Sequence, residues 1–225
     1  MKNILTRGGV EFVAVFLGII LSLYVDERRN EQAIRNDLFS DYASIRNDLD
    51  KDIPYLSKLI KYWKEDVDDC KKIIQMLDDK NLYNYKKFIN LKKGRDRDDG
   101  GSFYGTKTAY ISATSSGRLS YFGNNALSNK IGNIYEHHYN RIDENGKLFD
   151  DFLVNRKIRL NLGVRAETAV IVKQNEEVVN SYKFYTNNSL ECFLRQWILD
   201  KMEKALLDMI EVRELLSSEI KNLQK

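Results

Sequence analysis

The chain changes its hydrophobic pattern three times. From Val10 to Val25 it is apolar almost without interruption, and Glu11 is the only strongly polar residue in the run. From Ile34 onward the apolar positions fall at threes and fours: Ile34, Leu38, Tyr42, Ile45, Leu49, Ile53, Leu56, Ile60, Trp63, Val67, Cys70, Ile74 and Leu77. Such a seam, kept up for about six heptads, predicts one long helix or a kinked pair over 26–78, roughly 75–80 Å if straight. Pro54 lies inside the seam without shifting its phase. That predicts a kink there, or a break with Asp52 capping a second helix. A third pattern closes the chain. Leu190, Phe193, Leu194, Trp197, Ile198, Leu206, Met209, Ile210, Leu216, Ile220 and Leu223 form an apolar stripe at helical spacing, long enough to return along the first helix as an antiparallel partner.

Between these patterns the signals are shorter. Residues 79–105 are charged and Gly-rich without period and read as a polar loop. Asp96, Asp98 and Asp99 lack the Gly and closing Glu spacing of a calcium loop. Thr106–Ser116 reads as a short helix stopped by Gly117 in the left-handed conformation. Asn124 is a candidate N-cap for a helix carrying Leu127, Ile131, Ile134 and His138 on one face. That helix continues past Asn145-Gly146 toward Leu148, Phe149, Phe152 and Leu153, or bends there. Residues 160–187 are the least periodic, and TAVIV (168–172) reads as helix because no second strand signal accompanies it.

The expected fold is all-α: a single N-terminal transmembrane helix continuing into a long-helix bundle or coiled-coil-like domain. Its segments are a short tail (1–8), the transmembrane helix (9–25), the long helix or kinked pair (26–78), the polar loop (79–105) and a helical domain with the return helix (106–225). As a helix the apolar run measures roughly 25 Å, at the short end for a hydrocarbon core of about 30 Å. Asp26-Glu27-Arg28-Arg29 follows it directly, where a cleaved signal peptide would carry small residues, so an uncleaved anchor is expected. Ala14, Gly18 and Ser22 lie four apart, and Glu11 lies seven before Gly18 on nearly the same face. Small residues let transmembrane helices approach closely, and a carboxylate at that depth faces a partner or water. The expectation is packing between copies, with Glu11 at the seam; the plainer alternative is that Glu11 reaches the headgroup zone. Lys2 and Arg7 precede the run and Arg28, Arg29 and Arg35 follow it, which slightly favours the C-terminal side inside.

Composition adds exclusions. Charged residues make up 31% of the chain, yet the net charge is only +3, which gives no electrostatic case for nucleic acid. A single Pro among 225 residues suits long helices. Cys70 and Cys192 make no zinc site; they read as two buried thiols, or as one disulfide between facing helices if the domain lies outside the cytoplasm. His137 and His138 point about 100° apart on a helix and do not converge on one metal ion. No phosphate loop, nucleophile elbow or dinucleotide fingerprint is present, so neither catalytic residues nor a cofactor are expected. A candidate anion-binding patch comprises Lys107, Arg118, Asn124, Asn125 and Arg141 near predicted helix N-termini, with solvated surface residues as the alternative.

Two stretches together resemble an uncharacterised bacterial family, a domain of unknown function. In the first, Glu11, Gly18, Leu21, Leu23, Asn30 and Glu31 fit the family's apolar segment. In the second, Ala109, Tyr110, Ser116, Gly117, Leu119, Asn124 or Asn125, Leu127, Tyr135 and Tyr139 fit an alanine–aromatic pair, a Ser-Gly and an aromatic-rich helix. The resemblance implies one N-terminal transmembrane helix, a helical extramembrane domain and a periplasmic location at a bacterial inner membrane. It implies no activity. The expected function is that of a self-associating, non-enzymatic scaffold or adaptor. The alternative is a ligand-responsive membrane sensor or effector whose distal domain controls packing of the transmembrane helices. The partners expected are the lipid bilayer, further copies of the chain, and a protein or small anionic ligand.

Overall fold

The computed structural model describes residues 2–79, 102–121, 124–160, 178 and 181–224. Among these the chain is all-helical. Helix α1 runs over Lys2–Asp78 and α2 over Thr108–Ser115. A single turn, α3, covers Arg118–Tyr121, followed by α4 over Asn125–Gly132. A π-helical segment, Asn133–Tyr139, joins α4 to α5 (Asn140–Leu160), and α6 spans Tyr182–Leu223. Most of the polar loop expected over 79–105, its aspartates Asp96, Asp98 and Asp99, and the TAVIV stretch lie outside the described residues.

The core is an antiparallel pair. Arg35 lies beside Asn222, Asp50 beside Arg213, Lys64 beside Glu203 and Cys70 beside Cys192, so α6 runs back along α1 throughout its length. Leu38, Tyr42, Ile45, Leu49, Leu56, Trp63 and Val67 of α1 pack against Ile198, Met202, Ala205, Met209, Val212, Leu216 and Ile220 of α6. Removing such side chains from water contributes about 1.5–3 kcal/mol each. The smaller helices lie across this pair and add Tyr110, Leu127, Ile131, Ile134, Tyr135, Tyr139 and Phe149 to the same core.

Several expectations hold in detail. Gly117 has φ 72°, and its N–H closes α2 on the Thr114 carbonyl at 2.9 Å. The Asn124 side chain caps α4, accepting from the N–H groups of Ala126 and Leu127. Leu127, Ile131, Ile134 and His138 are all buried, and the helix passes through Asn145-Gly146 without ending.

Other expectations are corrected. α1 is continuous through Pro54, so Asp52 caps no second helix. Asp52 instead reaches sideways to Thr106 and Tyr139. The buried seam of α6 is rotated from the apolar stripe: Leu190, Phe193 and Ile210 are exposed, while Asn188, Glu191 and Arg195 occupy buried positions. Of the two alternatives for Cys70 and Cys192, the disulfide is the one formed, with Cα atoms 5.6 Å apart. The transmembrane expectation gains no support here, since no helix among the described residues is long and apolar enough to cross a membrane. The apolar stretch whose side chains are described, Glu11–Val25, measures about 22 Å as a helix.

Candidate functional site

Two regions stand out beyond the antiparallel pair. The first is the N-terminal part of α1. α6 ends at Leu223 beside Arg35, whose guanidinium donates to the Asn222 carbonyl at 3.1 Å. Upstream of that point α1 projects beyond the bundle, and every described side chain from Glu11 to Ala33 is exposed. Phe12, Val15, Leu21 and Leu23 are each more than 60% exposed, and Val13, Phe16, Leu17, Ile19, Ile20 and Val25 are exposed on the other faces. Ala14, Gly18 and Ser22 lie on this projecting end with Glu11, and a Cβ added at Gly18 would meet nothing within 4 Å.

The second region is where α2, α3 and the π segment meet α1. Four aspartates of α1, at 37, 41, 48 and 52, recur at helical intervals along one side. The Arg118 guanidinium binds Asp41 in bidentate fashion at 2.7 and 3.0 Å, with Asp37 at 4.0 Å. Asp48 accepts from the Ala109 N–H at 3.4 Å. Asp52 accepts from the Thr106 N–H and hydroxyl at 2.7 and 3.0 Å and from the Tyr139 hydroxyl at 2.8 Å. These bonds seat the segment Thr106–Arg118 against α1. Gly105 passes so close to the Tyr139 ring that a Cβ there would overlap it.

The π segment supplies the other wall. Its wider turn turns Ile134, Tyr135, His138 and Tyr139 inward together. Tyr110 stacks on Tyr135 with ring centres 4.5 Å apart, and Tyr135 meets Tyr139 edge-on at 5.1 Å. Burial, and then the carboxylates of Asp48 and Asp52, push the Tyr135 phenol well up; burial and Asp52 do the same to Tyr139. His138 lies 2.6 Å from Asp208 of α6, which ties the π segment to the antiparallel pair. π-Helical turns are frequently found at functional sites. Here the turn borders a groove of about 690 Å³ lined by α2 on one side (Tyr110, Thr114) and by α4 and the π segment on the other (Asn125, Ser128, Asn129, Gly132, Asn133, Glu136, His137).

The five residues of the predicted anion patch do not gather. Arg118 is held by Asp41, Lys107 donates to Asn140 at 2.6 Å, and Asn124 caps α4. Arg141 is exposed on α5, and only Asn125 lines the groove. His137 and His138 diverge, one to the groove and one to the core, and among the described residues no group of His, Cys, Asp or Glu could hold a metal ion.

Hydrophobicity alone does not reveal the buried charges. Arg195 binds Glu191 at 3.0 Å and Asp66 at 2.9 Å, with its guanidinium over the Phe149 ring at 4.9 Å. The signal that marks it is register: Asn188, Glu191 and Arg195 continue the three-four spacing of Ile198, Met202, Ala205 and Met209.

The chain belongs to DUF6090, a family of unknown function whose match covers residues 11–192, from the projecting end of α1 to the second disulfide cysteine. No curated protein and no solved structure matches it.

Proposed function

We propose that this DUF6090 member is a non-enzymatic scaffold or adaptor. The projecting end of α1 anchors it in a bacterial inner membrane and packs there against further copies, with the helical bundle on the periplasmic side. The observation that supports this reading is the all-round exposure of apolar side chains on a helix that continues directly into the bundle core. Isolated in water, such a surface far exceeds the apolar patches that soluble monomers expose. The apolar run Val10–Val25 is about 24 Å long against a hydrocarbon core of about 30 Å. A short span is accommodated by thinning the bilayer, by flanking residues reaching for the headgroups, or by oligomerising. Arg28 and Arg29 stand where such reach is needed. The face of Ala14, Gly18 and Ser22 serves the contact between copies, and Glu11 faces it.

The disulfide favours the periplasmic side. Disulfides persist in oxidising compartments and are rare in the cytoplasm.

A sensor or effector is the second reading, favoured by one observation. α1 is a single unbroken helix, so the Asp41, Asp48 and Asp52 contacts and the projecting end belong to one rigid element. A ligand that moves α2 or the π segment then bears on the anchors.

The test uses the full chain expressed in bacteria. It should stay in the membrane fraction through an alkaline carbonate wash, and Leu17→Lys with Leu21→Lys should release it. Alkylation of free thiols in intact cells before lysis should leave Cys70 and Cys192 unlabelled. Extraction of the unaltered chain by carbonate would overturn the anchor, and labelled thiols would overturn the periplasmic side.

A further inference from the structure

The groove beside the π segment has a chemistry of its own. Neither Lys nor Arg lines it, so it offers an anion no countercharge. Its single carboxylate, Glu136, with one imidazole, is too little for a metal. The Tyr110 ring has its face covered by Tyr135 and is 8% exposed, so no ring face is presented for a sugar to stack on. Beside Thr114, Leu119 and Ser128, what remains is a row of side-chain amides.

Those amides are regularly placed. Asn125, Asn129 and Asn133 stand four residues apart on the wall of the groove. On a helix that interval is a rise of about 6.0 Å. An extended polypeptide advances about 6.6 Å in two residues. Consecutive asparagines therefore meet alternate peptide units of an extended chain laid along the helix. An asparagine amide carries a donor and an acceptor side by side, as a peptide unit does, and so suits one regardless of side-chain sequence. The Asn133 amide nitrogen lies 3.1 Å from His138 Nε2, which anchors that side chain at the end of the row. Glu136 accepts from the Tyr110 hydroxyl, which fixes the carboxylate at the groove wall.

We infer that this groove binds an extended polypeptide segment, gripped along its backbone by Asn125, Asn129 and Asn133, and that Glu136 selects a basic side chain. The ladder spans about 12 Å, or about four residues of ligand. The bound segment would come from another protein. The inference does not depend on whether α1 enters a bilayer.

The test is selection of a randomised synthetic nonapeptide library on the full chain in detergent micelles, followed by affinity measurements on the selected peptides. Selected peptides should carry Lys or Arg and should lose affinity when alternate peptide nitrogens are methylated. Asn129→Ala should weaken binding about 10-fold, and Asn125→Ala with Asn129→Ala further. Both residues are exposed, so thermal stability should be unchanged and the loss assignable to the groove. Glu136→Gln should erase the preference for basic peptides while retaining sensitivity to backbone methylation. Three results would each overturn the inference: no enrichment over the double asparagine variant, equal binding of methylated peptides, or capture of oligosaccharides in place of peptides.

Discussion

Asp52 and Tyr139 meet across the core, the phenol donating to the carboxylate at 2.8 Å between α1 and the π segment. Asp52 also takes two hydrogen bonds from Thr106 and is 3% exposed. Removing a buried charged acceptor leaves its donors unsatisfied and costs about 1–3 kcal/mol per orphaned group. Asp52→Ala should lower the unfolding free energy by about 3 kcal/mol or more, and Tyr139→Phe by about 1–2 kcal/mol. Urea titrations check both. Equal effects from the two would mean that the Thr106 bonds contribute nothing.

The buried phenols set an alkaline limit. Tyr135 and Tyr139 are both raised above the ordinary value of 10.0 by burial and by neighbouring carboxylates. The folded chain therefore keeps these protons while the unfolded chain releases them above pH 10. Their effect on stability is absent below pH 10 and grows more unfavourable as pH rises beyond it, by about 1.4 kcal/mol per unit for each phenol. Tyr42 and Tyr110 are raised by burial as well, so unfolding free energy should fall between pH 8 and pH 11 by up to about 1.4 kcal/mol for each such phenol, and Tyr139→Phe should remove one such share. A flat profile to pH 11 would refute this.

Gly105 has no room for a side chain beside the Tyr139 ring. Gly105→Ala should cost about 1–3 kcal/mol by forcing that ring aside. Gly105→Ala in a Tyr139→Leu background should cost less, and thermal melts of the four proteins give the coupling directly.

The Cys70–Cys192 link closes a loop with a sequence separation of 122. The chain-entropy relation gives about 5 kcal/mol for such a loop, and measured effects are usually about 2–4 kcal/mol. Cys70→Ser with Cys192→Ser should lower stability by about that amount, and reductant should do the same to the unaltered chain. Insensitivity of the urea midpoint to reductant would show that the link does not form.

Arg195 neutralises two carboxylates in a buried setting. Arg195→Ala should cost about 3–5 kcal/mol, because the buried charge-assisted bonds to Glu191 and Asp66 are lost. Adding Glu191→Ala should recover part of the loss, measured as a double-mutant cycle. No recovery would locate the effect in the packing on Phe149.

Much of the fold is legible from side-chain type. Spacing alone identifies the long seam of α1, and Gly117 and Asn124 mark helix ends because few residues adopt those backbone conformations. Pro54 is less legible, since its effect depends on whether tertiary packing holds the helix through it. The rotation of α6 escapes a hydrophobic reading because the buried Arg195 also binds Asp66, which is distant in sequence. The groove escapes for a related reason. Asn125, Asn129 and Asn133 are visible as a period of four, but a polar period on a helix ordinarily means a solvated face, and only α2 lying alongside makes it a wall. Within the predicted patch, the engagement of Arg118 by Asp41 is invisible to spacing because the two are distant in sequence.

The unbroken length of α1 makes it a lever. From Asp41, where Arg118 grips it, to Phe12 the helix measures about 43 Å. Pivoting the rod there by about 5° would carry Phe12 sideways by about 4 Å, most of one helical pitch. Adjustments the size of a rotamer change near Asp41 thus become displacements the size of a side chain at the far end, without any bond along the rod being broken.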